Sequence, residues 1–245
     1  MIVSSTEVQN NFGKYLMLAA EEDVIVTRNG VPVAKLLGLD SAPHPWGSIS
    51  SIVRERAHQM AYGPTKATYQ EFLELTRDSE ERYEYIDGEI YLLASPKTPH
   101  QAALTELFGQ FYNWFQGKEC RPFVAPYYIT LRRSPEQISV VQPDIMIICD
   151  LDEQLGEDGY YKGVPNLLVE ILSDSTARKD LLKKLDLYMS CGVDEYWIVD
   201  PEDRLVLVYG FQDKKLSRQA LYKPPEKAQS QRFPGLEADL IQIFR

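Results

Sequence analysis

Between Val8 and Ala20 the apolar residues Val8, Phe12, Tyr15, Leu16 and Ala19 recur at steps of three and four, the spacing of an amphipathic helix. Ser4, Ser5 and Thr6 precede it as N-cap candidates, and Glu7 lies near its positive end. On either side the pattern turns β-like: Ile2-Val3 opens a short strand, Val24 to Thr27 reads as a second, and Val31 to Leu37 as its return. Arg28-Asn29-Gly30 between the last two predicts a hairpin, because Asn-Gly tolerates the positive φ that a tight turn requires. A unit of about forty residues with so few core positions is marginal alone, so it is expected to dimerise or to pack on other chain.

From Asp40 to Thr65 the periodicity fades. Pro43, Pro45 and Gly47 break any regular element, and a short helical stretch over 52–60 is all that the pattern supports. Order resumes at Lys66. Thr68 and Glu71 form a capping box for a helix through Leu75, and Asp87-Gly88 predicts a hairpin between Arg82–Ile86 and Glu89–Leu93. A long helix over 99–116 follows, then strands at Phe123–Arg132, Asp144–Cys149 and Asn166–Leu172. A helix over 177–190 ends at Gly192, and strands come at Glu195–Val199 and Leu205–Tyr209. Pro224 to Ser230 reads as a loop, with an edge strand or short helix between Phe233 and Phe244. Three strands followed by a crossover helix and another strand predict an α/β (α+β) fold, a mixed sheet flanked by helices. The expected organisation is a small α+β unit over 1–40, a linker over 41–65 and a larger domain over 66–245.

Composition narrows the function. Of 245 residues 44% are hydrophobic and 25% charged, which excludes wholesale disorder. The net charge of -10 excludes a basic nucleic-acid coat, though not a local basic groove. No apolar run approaches the ~20 residues of a membrane span, and the N-terminus lacks the pattern of a secretory signal. Cys120, Cys149 and Cys191 are widely spaced without a CxxC pair and read as reduced core thiols, the expectation for a cytoplasmic protein.

Three charged positions stand out. Asp144 opens the apolar run Ile145 to Ile148, and Glu170 interrupts Leu167 to Leu172. A carboxylate in a buried strand is expensive without a cationic partner, and two on adjacent strands suit Mg²⁺, a hard ion that accepts one or two protein carboxylates. On the next helix Asp180, Lys184 and Tyr188 are four apart and share a face, which lets Lys184 approach the pair. Each has a structural alternative: an ion pair for Glu170, a strand-end cap for Asp144, a solvated lysine for Lys184.

These residues carry a resemblance. Pro143-Asp144, Leu168 to Ser173, Asp180 to Tyr188 and Gly192 to Pro201, with Glu81 to Glu89, Ser95-Pro96 and His100 before them, resemble the Uma-type restriction endonucleases of the PD-(D/E)XK superfamily. The resemblance spans about residues 66 to 210 and implies a restriction-endonuclease-like core that cleaves DNA with Mg²⁺, or Mn²⁺ as an alternative ion. It implies Asp144 and Glu170 as metal ligands, Glu84 as an added carboxylate and Lys184 as the catalytic lysine. The superfamily lysine two positions after the glutamate is Leu172 here, so Lys184 is expected to reach the same point from the helix.

Residues 1 to 40, through Ile2 to Leu16 and Val24 to Ala34, are similar to the DNA-binding domain of Phd/YefM antitoxins. This implies a homodimer, or higher homo-oligomer, that contacts DNA through Ser5, Thr6, Gln9, Asn10, Lys14 and Arg28. Lys14, Arg28 and Lys35 are the only cations before Asp40, against Glu7, Glu21, Glu22 and Asp23, so binding per monomer is expected to be weak and salt-sensitive. Two readings follow: a Mg²⁺-dependent endonuclease with an antitoxin-like module, or a non-catalytic toxin-antitoxin-type regulator that uses the nuclease fold as a scaffold. The absence of a GxxxxGK[ST] loop argues against small phosphate esters as substrates.

Overall fold

A computed structural model of the chain describes residues 2–4, 8, 24–28, 31–36, 65–77, 79–173 and 178–245. Two units are distinguished, Met1–Tyr62 and Gly63–Arg245. In the first, strand β1 (Ile2–Ser4) runs parallel to β2 (Val24–Arg28), which pairs antiparallel with β3 (Val31–Leu36). The hairpin thus forms where the sequence places it. Val3, Val8, Val24 and Val26 make its small core, and Thr27 Oγ1 donates to the Val3 carbonyl at 3.3 Å. Asn29-Gly30, the helical pattern beyond Val8 and the linker over 41–64 lie outside the described residues.

The second unit opens with β4 (Thr65–Lys66) and helix α1 (Tyr69–Arg77). Its capping box is formed: Thr68 N donates to Glu71 Oε2 at 2.6 Å, and Glu71 N to Thr68 Oγ1 at 3.2 Å. Strands β5 (Tyr83–Ile86) and β6 (Glu89–Leu92) meet at Asp87 and Gly88, whose φ values of 49° and 83° are those of a tight hairpin turn. Together with β8 (Ile129–Arg132) and β9 (Ile138–Val141) they build a five-stranded antiparallel sheet in the order β4-β6-β5-β9-β8.

A six-stranded mixed sheet forms the other half. Its order is β14 (Lys215–Tyr222), β13 (Leu205–Gln212), β12 (Glu195–Asp200), β11 (Leu167–Ile171), β10 (Ile145–Ile148) and β7 (Arg121–Val124). Only β11 and β12 are parallel, and helix α4 (Arg178–Cys191) makes the crossover between them. Helix α2 (Thr98–Phe115) covers one face. Its buried residues His100, Ala103, Leu107, Phe111 and Phe115 keep helical spacing, and Phe111 meets Trp197 edge-on at 5.3 Å. The opposite face packs Met146, Leu168, Tyr196 and Ile198 against Leu187 and Tyr188 of α4 and against Ile86, Ile129 and Val141 of the smaller sheet. A short helix α3 (Leu151–Gln154), strands β15 (Lys227–Gln229) and β16 (Glu237–Asp239), and helix α5 (Leu240–Ile243) complete the unit.

Three expectations are corrected. Pro224–Ser230, expected as a loop, holds β15 at Lys227–Gln229, which pairs with β16. The stretch Phe123–Arg132 is not one strand: it leaves the larger sheet after Val124 and enters the smaller one at Ile129. Pro126 lies between them and has no N–H to give to a ladder, so the β-rich composition on both sides belongs to different sheets. The cysteines are not all free either. Arg121 pairs with Ile148, so the next residues outward are Cys120 and Cys149, and they form a disulfide while Cys191 stays a buried thiol.

Glu195, at the start of β12, is fully buried. It accepts hydrogen bonds from Trp197 Nε1 at 2.6 Å, Gln231 N at 2.5 Å and Arg232 N at 2.7 Å, which ties the C-terminal segment to the central strand. Burial raises its pKa, and these hydrogen bonds act in the opposite direction.

Candidate active site

The β10–β11 register matches Ile145 with Val169 and Met146 with Leu168, so one step further brings Asp144 to Glu170. Asp144 Oδ2 accepts from Ile171 N at 2.7 Å, which fixes the carboxylate against the end of β11. The same oxygen lies 3.2 Å from His100 Nε2. His100 Nδ1 is buried without a partner among the described residues.

Glu170 points into the space where α4 and both sheets meet. Its Oε1 accepts from Lys184 Nζ at 2.8 Å and from Tyr188 OH at 2.6 Å, two donors one helical turn apart on α4. Lys184 also reaches Glu84 Oε1 at 2.9 Å, and that oxygen accepts from Gln142 N at 2.8 Å as well. One ammonium therefore links a carboxylate of the smaller sheet to one of the larger. Glu84, Glu170 and Lys184 are 3%, 7% and 6% exposed, so their charges interact with little solvent screening.

The electrostatics follow from two buried carboxylates sharing one lysine. Burial pushes the Glu170 pKa up to about 7; Lys184 opposes this, while the charges of Glu84 and Asp144 add to it. Lys184 is held well above its ordinary value: burial alone would lower it, and Glu170 and Glu84 more than reverse that. The ammonium stays charged. Burial and the nearby carboxylates also raise Tyr188, which keeps its hydroxyl a donor. Beside this cluster Lys183 pairs with Glu89 and with Tyr91 OH, forming a second lysine–carboxylate contact on a more exposed rim.

The fold thus places Asp144 beside Glu170 across the β10–β11 pair and joins Glu170 to Glu84 through Lys184. Leu172, two positions after Glu170, continues the β11–β12 ladder by donating to the Val199 carbonyl at 2.8 Å and packs on the core. Of the DNA-contact residues expected in the first unit, Arg28 is exposed at the end of β2; Ser5, Thr6, Gln9, Asn10 and Lys14 lie outside the described residues. The side chain of Asp180 is likewise not described. Two neighbours carried little sequence signal. His100 reads as the first member of the α2 core stripe, and Tyr188 as a core aromatic, yet each contacts a central carboxylate.

Among the described residues no three of His, Cys, Asp and Glu gather closely enough to enclose an ion alone. Mg²⁺ does not require that, since it keeps several waters on one or two carboxylates. The donor chemistry fits. Asp144 and Glu170 supply hard oxygens, and among the described residues the partners of each converge on one oxygen, Oδ2 or Oε1.

Comparison with known proteins agrees with this fold. The fold is similar to the crystal structure of a protein from Anabaena variabilis titled a "putative nuclease belonging to DUF820", with a TM-score of 0.59 and 22% identity over 72% of this chain and 97% of that one. An uncharacterised protein of Synechocystis is 26% identical over 178 residues, covering 64% of this chain and 88% of its own length. Residues 1–41 match the family described as "Antitoxin Phd_YefM, type II toxin-antitoxin system". Residues 69–241, which hold the six-stranded sheet, every strand of the smaller sheet except β4 and all four residues of the central cluster, match Uma2, described as "Putative restriction endonuclease", and by that match the chain belongs to the Uma2 family.

Proposed function

We propose that the protein is a Mg²⁺-dependent endodeoxyribonuclease of the PD-(D/E)XK type that hydrolyses DNA phosphodiesters. The observation that carries this reading is the contact of Lys184 Nζ with Glu170 at 2.8 Å, beside a carboxylate that faces Glu170 across the β10–β11 pair. Asp144 and Glu170 would hold the ion. When bound, it supplies a Lewis acid and a water of lowered pKa. Lys184 spends two of its three N–H donors on Glu84 and Glu170 and keeps a third to orient a water or a phosphate oxygen. Glu84 anchors that lysine through an oxygen fixed by Gln142 N. The Ile171 N–H and His100 hold Asp144 in place.

The antitoxin-like unit would make the chain a homodimer and add contacts to DNA through Ser5, Thr6, Gln9, Asn10, Lys14 and Arg28. The test is nicking of supercoiled plasmid in Mg²⁺, in Mn²⁺ and in EDTA. Wild type is expected to cut with either ion, and the Asp144→Ala, Glu170→Ala double variant to fall to background. Equal nicking by both overturns the assignment.

One observation favours a non-catalytic regulator instead: Lys184 already satisfies Glu84 and Glu170 without an ion. That reading predicts specific DNA binding, undiminished by the double substitution, with no cleavage under any divalent ion.

A further inference from the structure

We propose that Tyr188 is a positioning residue for the metal site, fixing Glu170 so that Oε2 is the oxygen presented to the cation. The proposal rests on the endonuclease reading of the site. Its first support is geometric. The Tyr188 hydroxyl donates to Glu170 Oε1 at 2.6 Å, and Lys184 donates to that same oxygen at 2.8 Å. Both donors come from one face of α4, so the helix imposes a single orientation on the carboxylate.

The second support is packing. Tyr188 is fully buried and meets Tyr196 edge-on, with ring centroids 5.0 Å apart and an interplanar angle of 79°. In a close-packed interior a ring held this way cannot swing to release the carboxylate. A carboxylate with one oxygen committed to two donors has lost its freedom to flip, and the other oxygen, to which none of the described residues donates, keeps a fixed place. Groups that orient a ligating side chain in this way typically change metal affinity or activity by about 10–100-fold when removed.

Tyr196 supplies the control. It is equally buried and lies in the same aromatic pair, but its hydroxyl has no hydrogen-bond partner among the described residues. Tyr196→Phe and Tyr188→Phe therefore make the same chemical change in the same core, and only the second touches Glu170.

The experiment is calorimetric titration of the full chain with Mn²⁺, alongside its thermal midpoint, for wild type, Tyr188→Phe, Tyr196→Phe and Glu170→Ala. Tyr188→Phe is expected to weaken Mn²⁺ binding by about 10–100-fold, with Tyr196→Phe at the wild-type Kd and Glu170→Ala without binding. The thermal midpoint shows that each variant is folded. If Tyr188→Phe binds Mn²⁺ like wild type while Glu170→Ala does not, Tyr188 is only a core residue and the proposal fails, leaving the metal site standing. If Glu170→Ala binds as well as wild type, the reading of the site fails and the proposal fails with it. An equal loss in Tyr196→Phe and Tyr188→Phe also overturns it, because the effect would then be general to the core.

Discussion

Replacing Glu170 with glutamine keeps its shape and its acceptor for Lys184 and Tyr188 while removing its ionisation. In the folded chain burial carries this carboxyl from 4.5 to about 7. Because the folded pKa is raised, the stability that Glu170 contributes is complete below about 4.5 and is lost as the pH climbs through about 7. At about 1.4 kcal/mol per pH unit, that interval amounts to about 3 kcal/mol. Wild type therefore loses about 3 kcal/mol between pH 4.5 and 8 that Glu170→Gln does not lose. For a domain of this size the difference corresponds to about 6–12 °C in the unfolding midpoint. The assay is urea unfolding of both full-length proteins in EDTA, followed by tryptophan emission at several values from pH 4.5 to 8. Carboxyl groups remote from Glu170 titrate in both proteins and cancel in the comparison, which leaves Glu170 and its coupling to Glu84 and Asp144. Parallel stability–pH curves would refute the reasoning, since they would mean that Glu170 ionises in the folded chain as it does in the unfolded one.

Removing the lysine should act in the opposite sense. Lys184→Met leaves Glu84 and Glu170 buried without their shared cation, and breaking a buried pair from one side is expected to lower stability by about 3–5 kcal/mol at pH 8. The loss should shrink towards pH 5, where Glu170 takes up a proton, and denaturant midpoints at the two pH values measure it. Glu195→Ala orphans Trp197 Nε1 and the N–H groups of Gln231 and Arg232. The buried Trp197 donor alone should cost about 1–3 kcal/mol, and the part-buried N–H groups of Gln231 and Arg232 should add less. Hydrogen exchange should then show the 231–232 amides opening first; unchanged protection there would contradict the assigned role.

Much of this arrangement was legible where local chemistry decides it. Thr68 and Glu71 announce a helix start because they satisfy each other's backbone, and Asp87-Gly88 announces a turn because few other pairs accept two positive φ angles. Asp144 and Glu170 stood out because a charge in an apolar strand needs a reason. Long-range pairing was not legible. Cys120 and Cys149 are 29 residues apart and meet only because β7 lies antiparallel to β10, a neighbour relation that no local pattern encodes. The split after Val124 was hidden because residues on both sides are good strand formers, and the sheet each joins is settled by tertiary contacts. His100 and Tyr188 carry weak sequence signals for a related reason. An apolar stripe predicts which face of a helix is buried, not which buried polar tip finds a carboxylate.

The bridging of Glu84 to Glu170 through Lys184 ties competence to completeness. The hairpin carrying Glu84 is made early in the chain and the strand carrying Glu170 much later, so a nascent or nicked polypeptide that lacks either half holds at most a fragment of the centre. Under the endonuclease function proposed above, activity would wait on the folding of both segments, and half-made copies would be inert.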